Sequence, residues 1–142
     1  MSSRREQILA RIQAALIGNT PAGANVFRAR ENAITRAMTP AITVLYDGQN
    51  TTRMGQATDK QDMRAKVAIF APGDPWDQVM DPIDVAAHAV IMSDAPLAAL
   101  AVDIRRDDDN PESEEADRTA GTLSVIYRVT YLNRAADIAA AP

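Results

Sequence analysis

The stretch Thr122-Leu123-Ser124-Val125-Ile126-Tyr127-Arg128-Val129-Thr130-Tyr131-Leu132 decides the fold. Leu123, Val125, Tyr127, Val129 and Tyr131 make one apolar set; Thr122, Ser124, Arg128 and Thr130 alternate with them, joined by Ile126 and Leu132. Side chains alternate across a strand, so this period of two predicts a strand with one apolar face and one half-polar face. A sheet of that texture is covered by helices on one side only.

Two helical segments are placed to supply that cover. Near the start, Ile8, Leu9, Ile12, Ala15 and Leu16 fall on one helical face. Ser2 or Ser3 can cap this helix, Glu6 stands three residues after Ser3 as in a capping box, and Gly18-Asn19 supplies a stop. Farther on, Asp81-Pro82 forms an N-cap and first-turn pair, and Ile83, Ala86, Ala87, Val90 and Ile91 make a stripe that Pro96 ends.

Three more strands are expected. Ile42–Tyr46 alternates and is ended by Asp47-Gly48, a turn signal. Met63–Ala71 alternates again, with Ala65, Val67 and Ile69 opposite Arg64 and Lys66, and Pro72-Gly73-Asp74-Pro75 stops it. Ala101–Arg105 is a short candidate with Val102 and Ile104 inward. From Thr20 to Arg36 periodicity is weak, and Arg28, Arg30 and Arg36 are candidates to line a surface. The fold class is therefore α+β, two main helices packed on one face of a mostly antiparallel β-sheet. The 142 residues suit one domain over 1–142, with a flexible acidic loop over 107–118 and a frayed C-terminus over 135–142.

Charge is unevenly spread. Asp107, Asp108, Asp109, Glu112, Glu114, Glu115 and Asp117 hold much of the acid in a chain of net charge −4. Elsewhere the basic residues slightly outnumber the acids and are scattered, which argues against tight DNA binding by a single chain. No apolar run approaches the ~20 residues of a membrane span. The opening Met1-Ser2-Ser3-Arg4-Arg5-Glu6 reads as an amphipathic helix start and not a signal peptide, so cytosolic synthesis is expected.

Chemistry-bearing patterns are scarce. With no cysteine and one histidine, His88, the usual zinc sites are excluded. His88 lies off the apolar stripe of its helix and reads as a surface or boundary residue. The acidic run departs from an EF-hand: counted from Asp107, the sixth and twelfth positions hold Glu112 and Arg118, where glycine and glutamate belong. The glycines form no phosphate loop, and aromatics at 4% are too few for a base-stacking platform. Trp76, beside Pro75 in a turn before the second helix, anchors that turn on the core or serves as an interface anchor. No catalytic residue, cofactor or metal site is expected.

One resemblance runs through most of the chain. It includes the opening helix Arg4–Ile12, the segment Ala41–Gly48, the helix-then-strand unit from Asp84 to Ile104, and a charged loop leading into Gly121–Tyr131. In order and texture these resemble the tail terminator proteins of siphophages, the class that includes minor tail protein U. The resemblance implies a structural virion protein, made in the host cytoplasm and residing at the head-proximal end of the tail. Its expected partners are its own copies in a hexameric ring, the major tail tube protein, and a head-completion or connector protein. DNA would pass through the ring without specific binding, and no membrane is involved. Arg128, Trp76, Arg28 and Arg30 are the candidate interface residues. Competing readings are a head–tail connector or tail-completion protein, a small dimeric ligand-binding module with a closed apolar pocket near Trp76 or Tyr127, and an enzyme using the acidic cluster with a divalent metal.

Overall fold

A computed structural model describes residues 2–28, 40–73, 75–113 and 120–142. The chain runs α1 (Arg4–Leu16), β1 (Val26–Arg28), β2 (Ala41–Met54), β3 (Thr58–Pro72), α2 (Trp76–Ser93), α3 (Ala95–Leu100), β4 (Asp103–Ser113) and β5 (Ala120–Arg134). The strands form one sheet of order β1-β2-β3-β5-β4, antiparallel except where β1 runs parallel to β2. The fold is α+β, as the sequence pattern requires.

The apolar face of β5 is the floor of the core. Val125, Tyr127 and Val129 are buried, and in register beside them on β3 stand Val67, Ala65 and Met63. Ile8, Leu9, Ile12 and Leu16 of α1, Ile83, Ala87 and Ile91 of α2, and Leu97 of α3 pack on that same face. Each large aliphatic side chain buried this way contributes about 1.5–3 kcal/mol. The other face carries Arg64, Lys66, Ser124, Ile126, Arg128 and Arg105, and none of the described helices packs on it.

Local chemistry sets the helix ends. Ser3 Oγ accepts the Glu6 amide at 3.1 Å, the expected N-cap of α1. Asp94 ends α2 and caps α3, its carboxylate accepting the Leu97 amide at 3.0 Å. Pro96 therefore sits in the first turn of a new helix, where its missing N–H costs nothing. Asp94 also holds Arg11 through two hydrogen bonds of 2.8 Å, which ties α3 to α1.

Several elements differ from expectation, each for a local reason. α2 begins at Trp76, not at Asp81, and Pro82 lies inside it. Asp47-Gly48 does not end β2. These two residues oppose the single residue Arg64 between the pairs Tyr46↔Ala65 and Gln49↔Met63, a β-bulge in which Gly48 takes φ 93°. The Arg64 guanidinium donates to the Asp47 carbonyl at 3.1 Å across it, and the chain turns only at Gly55, φ 82°.

Val102 is 66% exposed, not inward. The acidic run, expected as loop from 107, instead places Asp107–Ser113 in β4, with a bulge between Arg106 and Asp108. Pairing with β5 satisfies one side of that backbone, and the carboxylates at the sheet edge stay in water. Residues 114–118 of that expected loop lie outside the described residues. The segment expected to fray at the C-terminus folds back onto α1. The Arg4 amide donates to Ile138 O at 2.8 Å, and the Arg134 amide to Ala140 O at 3.0 Å.

Candidate functional site

The helix-free sheet face is built around Arg128, at the middle of β5. In register with it stand Arg64 on β3 and Arg105 on β4, so three arginines line up across neighbouring strands. Directly opposed side chains in a sheet are about 4.5–5.5 Å apart at Cβ, and like charges there oppose each other. Each arginine is relieved separately. Arg105 meets Asp103 at 3.2 Å, Arg128 meets Asp107 at 3.8 Å, and Arg64 is held by the Asp47 carbonyl. Beside the row, Lys66 on β3 is in register with Ile126 on β5, and Asp62 accepts the Thr130 hydroxyl at 2.8 Å. With Arg128 41% and Arg105 61% exposed at their side chains, this is a broad, wet surface mixing cations with apolar residues. Such texture suits contact with another macromolecule and offers no enclosed site for chemistry.

The other candidates lie elsewhere. Trp76 opens α2, and its indole rests on Gly121 at the start of β5, so it does anchor the helix to the sheet. Arg28, on β1, faces the helices. Its guanidinium grips the Glu6 carboxylate at 2.7 and 3.0 Å and donates to Val44 O, and this pairing holds the Glu6 carboxyl below its usual range. The structure therefore does not bring Arg28 and Arg128 together. Arg30 lies outside the described residues.

A polar cluster that no single sequence segment reveals pins α2 to the sheet. Asp84 of α2 receives two hydrogen bonds from Arg106 of β4, at 2.8 and 3.0 Å, and Arg106 also meets Asp109 at 3.0 Å. The Asp84 carboxylate, through those bonds, raises the Arg106 pKa above its ordinary value. One turn along α2, His88 Nδ1 is 3.0 Å from the Tyr127 hydroxyl, and the two rings stack with centroids 5.8 Å apart. Burial pushes the Tyr127 phenol up to about 12. The available signal is the spacing of Asp84 and His88 by four residues, one helical face; their partners are distant in sequence. Every charge here is matched, so the cluster positions elements and presents no activated nucleophile.

Among the described residues no group of three or more His, Cys, Asp or Glu is placed to hold a metal ion, and no helix is long and apolar enough to cross a membrane. A groove of about 200 Å³ lies between α2, α3 and the start of β4, lined by Ile91, Met92, Ala98, Ala101, Val102, Asp103 and Ile104.

No protein-family model matches the sequence, and no curated protein matches it. Among solved structures, a chain from the virion of a native gene transfer agent particle is similar over 92% of this chain and 92% of that chain, with 12% sequence identity and a TM-score of 0.43. A likeness this distant assigns no family.

Proposed function

We propose that this chain is a structural virion protein that forms a ring on the end of a phage tail tube, ends tube polymerisation and presents the head-joining surface. The observation that carries this reading is the helix-free sheet face with Arg64, Arg128 and Arg105 in cross-strand register. Within the subunit each arginine has only its own solvent-accessible contact, whereas carboxylates of a neighbouring protein would meet the whole row at once. The resemblance of the chain order to tail terminators supplies the specific assembly. On this reading the partners are further copies of the chain in a hexamer, the tube protein and a head-completion protein. DNA passes through without specific contact.

The test is tube polymerisation. Tube protein assembled alone should give lengths that keep growing, and adding this chain should halt growth without shortening existing tubes. Continued growth at saturating amounts of the chain would reject the terminator role.

A further inference from the structure

From Pro82 through α2 and α3 to Val102, no charged side chain is exposed; the exposed residues there are apolar except Ser93. The polar side chains of α2 and its end are turned to partners, Asp84 to Arg106, His88 to Tyr127 and Asp94 to Arg11. The helix α2 therefore has two apolar sides. Ile83, Ala87 and Ile91 are buried in the core. Val85, Ala89 and Met92, spaced i, i+4 and i+7, share the outward side, with Val85 62% and Met92 48% exposed. A helix that is apolar all round belongs in an interior. In a chain with 24% charged residues, an uncharged surface over two consecutive helices marks a protein contact, not a solvated face.

This stripe is its own complement. Val85 projects, and beside Met92 opens the groove of about 200 Å³ between α2, α3 and β4. A cavity of about 150 Å³ takes a benzene molecule, so a groove of this size admits a valine side chain. Knob and groove lie on one side of α2, seven residues or about 10 Å apart. Between them stands the small side chain of Ala89, which lets a second helix approach closely. A second α2 laid antiparallel across Ala89 brings each Val85 to the groove beside the other copy's Met92.

Charge favours the same occupant. The chain carries a net −4, so its acidic faces repel copies of themselves, while this surface brings no like charges together. The nearest exposed charge on α2 is Asp81, eight residues from Ala89. An antiparallel pair would hold the two Asp81 residues about 24 Å apart, well beyond a Debye length.

We propose that two copies of this chain pair through α2, antiparallel about a two-fold axis at Ala89, with Val85 of each copy seated beside Met92 of the other. A two-fold contact uses the same patch on both copies and stops at two. It is therefore distinct from the contacts that would close a ring and does not rest on the ring reading.

Sedimentation of the purified chain over rising concentration should show monomer giving way to dimer. Ala89→Glu should weaken that dimer by at least about tenfold, as a carboxylate buried at an apolar contact requires. Ala89 is exposed, so at dilutions where both proteins are monomeric the melting temperature should match wild type. The chain has no cysteine, so single-cysteine variants report the geometry cleanly. On oxidation, Ala89→Cys should link to itself, and Val85→Cys should link to Met92→Cys. Val85→Cys alone should not, because the axis places its two copies about 12 Å apart along the helices. A chain that stays monomeric, a dimer that tolerates Ala89→Glu, or an Ala89→Cys dimer that forms no disulfide would each overturn the pairing. Tube capping tests the ring reading separately.

Discussion

The indole of Trp76 lies against the backbone of Gly121, where a β-carbon would collide with the ring. This contact sets the start of α2 over the beginning of β5. It explains a glycine inside a strand, a position that otherwise loses both packing and backbone entropy.

Gly121→Ala should therefore destabilise the fold by about 1–3 kcal/mol through overpacking. In a Trp76→Ala background the same change should cost almost nothing, because the ring it would strike is gone. Urea denaturation of the four proteins in that cycle measures the coupling. Additive costs would show that Trp76 does not hold this contact in solution.

Arg106 and Asp84 form a second clamp on α2. Arg106→Met leaves the Asp84 carboxylate, whose side chain is only 15% exposed, without its partner. The expected cost is about 1–3 kcal/mol, the penalty of an unsatisfied, largely buried acceptor. Adding Asp84→Asn removes the orphaned charge and should recover part of that loss. A double variant no more stable than Arg106→Met would contradict the pairing as the source.

Tyr127 makes the fold sensitive to alkali. Its phenol is raised to about 12 in the folded chain, chiefly by burial, from an ordinary 10.0. The unfolded chain gives up this proton first. The stabilisation is therefore complete below about pH 10 and fades as pH rises toward 12, by about 2–3 kcal/mol. Tyr127→Phe should flatten that part of the stability–pH profile. It also removes the hydroxyl facing His88, so a modest loss at neutral pH accompanies it. An unchanged alkaline slope in the variant would assign the sensitivity elsewhere.

Arg128 tests the sheet face. Arg128→Glu loses the contact with Asp107, now 3.8 Å from the guanidinium, but sets a carboxylate between Arg64 and Arg105, which favour a negative charge. The subunit should stay within about 0.5 kcal/mol of wild type, as partly exposed substitutions do. Its capacity to cap tubes, counted by electron microscopy, should fall. A variant that unfolds would make Arg128 a structural ion-pair residue and remove the interface role from this face.

How much of the fold is legible in the sequence follows from which interactions are local. The alternation of β5 and the stripe of α1 are written in adjacent residues, and the buried sets Leu123, Val125, Tyr127, Val129, Tyr131 and Ile8, Leu9, Ile12, Ala15, Leu16 match the pattern. β1 escapes a sequence reading because Val26–Arg28 is three residues long and is a strand only through its pairing with β2. Asp47-Gly48 carries a true signal for positive φ, but a bulge and a turn use that signal alike. The acidic β4 looks like loop by composition, since an edge strand tolerates carboxylates that a central one would not. Of the candidate site, the position of Arg128 on the polar face of β5 is legible from alternation alone. Its alignment with Arg64 and Arg105 depends on strand order and register, which no single segment contains.

The most direct test of the central claim is electron microscopy of purified tail tubes mixed with the tagged chain. A tail terminator should appear as label in a ring at one end of each tube. Label along the whole tube, or none, would contradict that role.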